Sequence, residues 1–113
     1  MQPMTTTATP ADGLDLLGRE RPEVVQAYLG LLRELGSSLE PKTKQLILIC
    51  LQTTQGSGRA LRRHVPRAMA AGATPDECLD AISLALPVAG LTRVTEAVAA
   101  VADLLEEEAG DGA

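Results

Sequence analysis

Apolar residues recur along this chain with the period of a helix, and nowhere with the alternation of a strand. After Pro22, the residues Val24, Val25, Tyr28, Leu29, Leu32 and Leu35 follow the 3.6-residue repeat, and Gly36 closes the pattern. Upstream, Thr9-Pro10-Ala11-Asp12 has the makeup of a helix start: a threonine cap, proline at the first helical position and an acid in the first turn. The short helix it opens ends near Gly18. A third helix begins at Pro41 and runs to about Thr54. Its Leu46–Leu51 block is continuously apolar and on its own would also suit a buried strand. Proline at the start, the absence of alternation and the Lys42-Thr43-Lys44-Gln45 lead-in favour a helix. A helix apolar on nearly all sides belongs in the middle of a bundle.

Gln55-Gly56-Ser57-Gly58 then reverses the chain. The fourth helix carries Arg59 to Ala71 and stops at Gly72, with Ala60, Leu61, His64 and Ala68 on one face and Arg59, Arg62, Arg63 and Arg67 mostly on the others. Pro66 removes a backbone donor in mid-helix and is expected to kink it just past the histidine. Thr74-Pro75-Asp76-Glu77 spells a capping box for a fifth helix, whose inner face is Cys78, Leu79, Ile82, Ala85 and Leu86. Pro87 and Gly90 interrupt before a sixth helix with Val94, Ala97, Val98, Val101, Leu104 and Leu105 in helical period. Three glutamates then fall at its C-terminus, the wrong end of the helix dipole, so it should fray. The pattern predicts an all-α protein, a compact helical bundle of about six helices built around a central helical hairpin. It predicts one domain over 9–105, between a disordered tail at 1–8 and an acidic disordered tail at 106–113.

Composition narrows the function classes. The 113 residues are 45% hydrophobic but 1% aromatic, with Tyr28 alone and no Phe or Trp, so the core must be aliphatic. Such small-residue cores suit close helix packing and extension across subunits. A net charge of −5 argues against non-specific binding to nucleic acid or an anionic membrane surface. No apolar run is long enough to span a membrane, and the N-terminus lacks the pattern of a secretion signal. Cys50 and Cys78 each sit inside an apolar helical pattern, which suits a reducing, cytoplasmic setting. With two cysteines and one histidine there is no zinc site, and nothing calls for a metal or other cofactor.

His64, the only histidine, is the first candidate for chemistry. Hairpin geometry places it near Ile49 and Cys50, with Gln45 about one turn further along. It reads either as a general base or ligand-orienting residue between the third and fourth helices, or as a hydrogen-bonded core histidine. Gln45 is the polar residue that would share such a pocket. Ser57 suits the cap of the fourth helix, and Gly56-Ser57-Gly58-Arg59 offers N–H groups and a cation to a carboxylate or phosphate.

From Leu39 onward the chain resembles the carboxymuconolactone decarboxylase and alkylhydroperoxidase-D-like superfamily. The resemblance is carried by LEPKTKQLI, the glycine turn, HVPRAMAAGATPDE and AGLTRVTEAV, over about residues 39–105, with 22–38 fitting more loosely. It implies the family's helical fold and a homotrimer or homohexamer. The redox branch carries Cys-x-x-Cys with a histidine four residues after the second cysteine; those positions here are Ser57 and Ala60. Serine and alanine can neither attack a peroxide nor resolve a sulfenic acid, so the resemblance does not extend to thiol peroxidase activity. The decarboxylase branch lacks the cysteine pair. Both branches keep a glutamate nineteen residues before the histidine, here Gln45, and the decarboxylases typically keep another one turn before it, here Ala60. The resemblance therefore implies a thiol-independent, decarboxylase-like protein with His64 as the catalytic residue. Gln45, Ser57, Arg59 and Ala60 would lie around a small carboxylated or carbonyl-bearing molecule. The alternative is a non-catalytic oligomeric scaffold with a degenerate site.

Overall fold

The structure, a computed structural model, describes residues 13–112, with side chains described through Glu107. The helix start at Thr9-Pro10 and the tail at 1–8 lie outside the described residues. Every element is helical: α1 (Gly13–Glu20), α2 (Pro22–Glu34), α3 (Pro41–Gln55), α4 (Gly58–Ala70), α5 (Pro75–Ser83), α6 (Leu86–Ala89) and α7 (Leu91–Gly112). The all-α reading holds, with no strand among the described residues. The chain divides into two compact units between Ser38 and Leu39; the single domain expected over 9–105 spans both.

In the first unit α1 packs on α2. The first helix runs to Glu20, past the expected stop at Gly18, and the Leu17 carbonyl accepts the Arg21 N–H at 2.7 Å just before α2 begins at Pro22. The apolar repeat of α2 separates into two stripes. Val25, Leu29 and Leu32 are half-buried, whereas Val24, Tyr28, Leu31 and Leu35 are exposed. Neither helix has a fully buried residue.

In the second unit α3 packs against α4, α5, α6 and α7, and α7 in turn lies along α4, α5 and α6. Ile49 and Thr53 are the buried residues of α3, and the Thr53 hydroxyl donates to the Ile49 carbonyl at 2.9 Å. Ile47 and Leu51, expected to be enclosed, are exposed. The core between the helices is Leu61, Val65 and Ala68 of α4, Cys78 and Ile82 of α5, and Val101 of α7. The inner face of α5 is Cys78, Ala81 and Ile82, with the expected Ala85 buried just past its end; Leu79 and Leu86, also expected inside, are exposed. The chain leaves the α5 axis after Ser83 and forms the single turn α6 around Pro87 before α7. The acidic stretch from 106, expected to be disordered, continues α7 as backbone helix through Gly112.

The turns explain why the hairpin forms where it does. At the end of α3 the Gly56 N–H donates to the Thr53 carbonyl and the Ser57 N–H to the Gln52 carbonyl, both at 3.1 Å, with Gly56 left-handed at φ 73°. This is a Schellman closure. The Ser57 hydroxyl then accepts the Ala60 N–H at 3.3 Å and starts α4. A second Schellman closure at Gly72 leads into the capping box of α5. There the Thr74 hydroxyl accepts the Glu77 N–H at 3.0 Å, and Glu77 Oε1 accepts the Thr74 N–H at 2.9 Å. Lys42 Nζ reaches the same carboxylate at 3.1 Å, tying the start of α3 to the start of α5. Arg62 forks onto Asp103 of α7 at 2.8 and 3.0 Å and donates to the Ala100 carbonyl.

Gly56 is the position where the hairpin needs glycine. An alanine there would hold a side chain in the left-handed region, and its Cβ would meet the Arg93 guanidinium. Gly56→Ala should destabilise the second unit by about 1–2 kcal/mol, read as an earlier urea midpoint with unchanged slope; an unchanged midpoint would show that the turn tolerates another closure.

Candidate functional site

Two helix stripes build the site. On α3, Gln45, Ile49 and Thr53 recur every fourth residue, and on α4 the buried residues are Leu61, His64, Val65 and Ala68. Packing the apolar members of these stripes carries Gln45 and His64 together. His64 is 9% exposed, and its Nδ1 lies 3.1 Å from Gln45 Oε1. A carbonyl oxygen only accepts, so Nδ1 bears the proton and donates, and Nε2 keeps its lone pair.

This pairing brings to His64 the polar partner expected one turn beyond Ile49 and Cys50. The histidine occupies the second turn of α4, but its partner sits almost three turns before the end of α3, at about 3.6 residues per turn. Helices that cross at an angle do not keep a residue-for-residue register about a turn, and a glutamine side chain adds reach.

The electrostatics favour a neutral ring. Burial lowers the His64 pKa below its ordinary 6.5, and the positive charges of Arg67 and then Arg63 push in the same direction. Gln45 orients the ring without the carboxylate charge that would offset these effects. Arg63 and Arg67 thus act on the site although the helical wheel assigned them to other faces. Flanking His64 in sequence was the signal that could have found them.

The other expected residues fall at the start of α4. Ser57 and Ala60 meet each other in the helix cap, Ala60 is half-buried, and Arg59 is exposed. Ser57 lies about two turns, ~10 Å, along the axis from His64. Neither cysteine joins the pair. Cys78 is fully buried, and desolvation with the nearby Glu77 charge pushes its thiol up to about 11. Cys50 is a free thiol, half-buried on α3. Among the described residues no cluster of three or more His, Cys, Asp or Glu is placed to hold a metal ion, and no helix is long and apolar enough to cross a membrane.

The lowered pKa sets a pH dependence. Because the folded value lies below the 6.5 of a free imidazole, the unfolded chain binds the proton first. The stability contributed by neutral His64 is complete above about 6.5 and is lost as pH falls through the lowered folded value. Gln45→Glu puts a carboxylate where the amide oxygen now lies at 3.1 Å, so the His64 titration should move upward and this acid sensitivity should shrink. The single histidine makes the shift directly readable by proton NMR. A titration that stays put would mean that the two side chains do not meet.

Comparison with known proteins agrees with this architecture. Residues 22–103 match the carboxymuconolactone decarboxylase family. Over 101 residues the chain is 30% identical to an uncharacterized protein of Methanocaldococcus jannaschii, covering 88% of this chain and 94% of that protein. No solved structure matches the chain significantly. The matched span takes in α2 through most of α7, including the whole hairpin that brings His64 to Gln45, and the chain belongs to the carboxymuconolactone decarboxylase family.

Proposed function

We propose that this protein binds a small carboxylated or carbonyl-bearing molecule at His64 and carries out acid–base chemistry on it without redox thiols. The observation that supports this most directly is the part-buried His64–Gln45 hydrogen bond at 3.1 Å; with the amide oxygen facing Nδ1, Nε2 is left as the acceptor. A base whose pKa lies below 6.5 is deprotonated at neutral pH and ready to take a proton. In this reading Nε2 removes a proton from the carbon beside the carbonyl, the electron pair moves onto the carbonyl oxygen, and the imidazolium returns the proton. Gln45 holds the ring and exchanges no proton. Arg63 and Arg67, which oppose a cation at His64, favour an anion near it, consistent with a carboxylated ligand.

A thiol peroxidase mechanism has no support: Ser57 and Ala60 hold the two cysteine positions, and the Cys78 thiol is buried with a raised pKa. The proposal places the protein in the cytoplasm, where free cysteines persist, as a homotrimer or homohexamer. Exposed apolar residues support self-association, among them Tyr28 and Leu31 of α2 and Val88 and Leu91 of the second unit. The same surfaces favour the second reading, a non-catalytic oligomeric scaffold.

A titration of His64 by NMR, with and without small carboxylates and lactones, separates the two readings. The enzyme reading expects a pKa below 6.5 in the free protein and a saturable shift with one compound class, lost in Gln45→Ala. A histidine signal that ignores every compound would leave the scaffold.

A further inference from the structure

The face of α3 that turns away from the His64 stripe forms a groove with α5. Its volume is about 400 Å³, within the range of small-molecule sites. The walls are Leu46, Ile47, Cys50 and Leu51 from α3, Ala81 from α5 and Leu84 just past its end. His64 and Gln45 are not among its lining residues, so the groove is distinct from the site described above.

Its polar groups are few, and the charged ones are both negative. Thr43 stands at one end, with its hydroxyl already donating to Glu40 at 3.2 Å. Two carboxylates, Glu77 and Asp80, lie one turn apart on the α5 side. The Glu77 charge is balanced by Lys42 at 3.1 Å and engaged in the capping box. Asp80 has no ionic partner among the described residues and is exposed at the rim. The groove is therefore an apolar trough with one uncompensated negative charge beside it.

We propose that this groove binds a small amphipathic cation, an alkyl chain lying along Ile47, Leu51 and Leu84 with an ammonium group over Asp80. Two features of the walls fit this occupant. Leu84 is 69% exposed and Leu51 53% exposed, so a chain laid between them removes apolar surface from water on both sides. An anionic head would meet Asp80 unfavourably, whereas a cation completes the charge balance that Lys42 provides for Glu77 alone. Affinity comes mainly from the chain and selectivity from the head group, because an exposed ion pair contributes little by itself.

The test uses three compounds with the same chain: octylammonium, octanol and octanoate. Each is titrated into the full chain and followed through backbone amide shifts of residues 43–51 and 77–84. Octylammonium should bind about threefold more tightly than octanol, and octanoate more weakly than either. Asp80→Asn should erase the advantage of the ammonium over the alcohol and leave the alcohol unchanged. Leu51→Lys, a substitution at an exposed position, should abolish octylammonium binding by placing a cation in the trough. Shifts confined to other residues, equal or tighter binding of octanoate, or an ammonium preference that survives Asp80→Asn would each overturn the proposal. So would groove amides that become protected only as protein concentration rises and ignore all three compounds, since that result assigns the face to a second copy.

Discussion

Close approach of helices is the constraint from which the second unit follows. With one tyrosine and no Phe or Trp in 113 residues, the chain fills its interior with Ala, Val, Leu and Ile, and small side chains reach interior density only when helix axes come near. Gly58 records that closeness: a Cβ there would lie 3.1 Å from the Ala100 Cβ of α7. Ala68, Ala73, Ala81, Ala85 and Ala97 occupy other buried positions where a larger residue would hold the helices apart. The caps then matter as much as the core. Tightly packed helices leave little room for irregular connections, and the two Schellman closures with the Thr74–Glu77 box satisfy the backbone within a few residues.

That packing sets a polar pair at the edge of an aliphatic interior, with His64 buried and Gln45 half-buried. A buried imidazole needs a partner, and Gln45 supplies one without charge. An uncharged acceptor holds the ring in place yet does nothing to stabilise the imidazolium. Burial and the two arginines therefore act unopposed, and the histidine is set toward its basic form. With an amide rather than a carboxylate at position 45, the ring's hydrogen-bond partner carries no charge.

The opposite face of α3 shows what the same packing leaves undone. A helix so rich in aliphatic residues cannot present all of them to one partner. Ile49 and Thr53 are enclosed, while Ile47 and Leu51 stay at the surface of a groove with α5. Helix α2 carries a comparable second stripe at Val24, Tyr28, Leu31 and Leu35. Both helices read in sequence as amphipathic or wholly apolar, and in both the apolar width exceeds what their own unit covers.

Local chemistry was legible from the sequence. Helical period, proline at first positions, glycine after last turns and the Thr74–Glu77 box are properties of neighbouring residues, so they located α2 to α5 with little error and fixed the all-α class. The spacing that relates Gln45 to His64 was also visible, because it belongs to a motif. Gln45 is accordingly the polar residue expected to share a pocket with His64. A count about the turn sets Ile49 and Cys50 nearer to the ring, and only the folded structure gives the 3.1 Å contact. Periodicity likewise could not say which of two apolar stripes a helix buries, which is why Leu79 and Leu86 were expected inside α5 and lie outside. Helices and the residue types available for chemistry depend on interactions a few positions apart, so the amino-acid order suffices for them. Register, buried face and the charge environment of His64 depend on residues distant in the chain, and they emerge only when the helices pack.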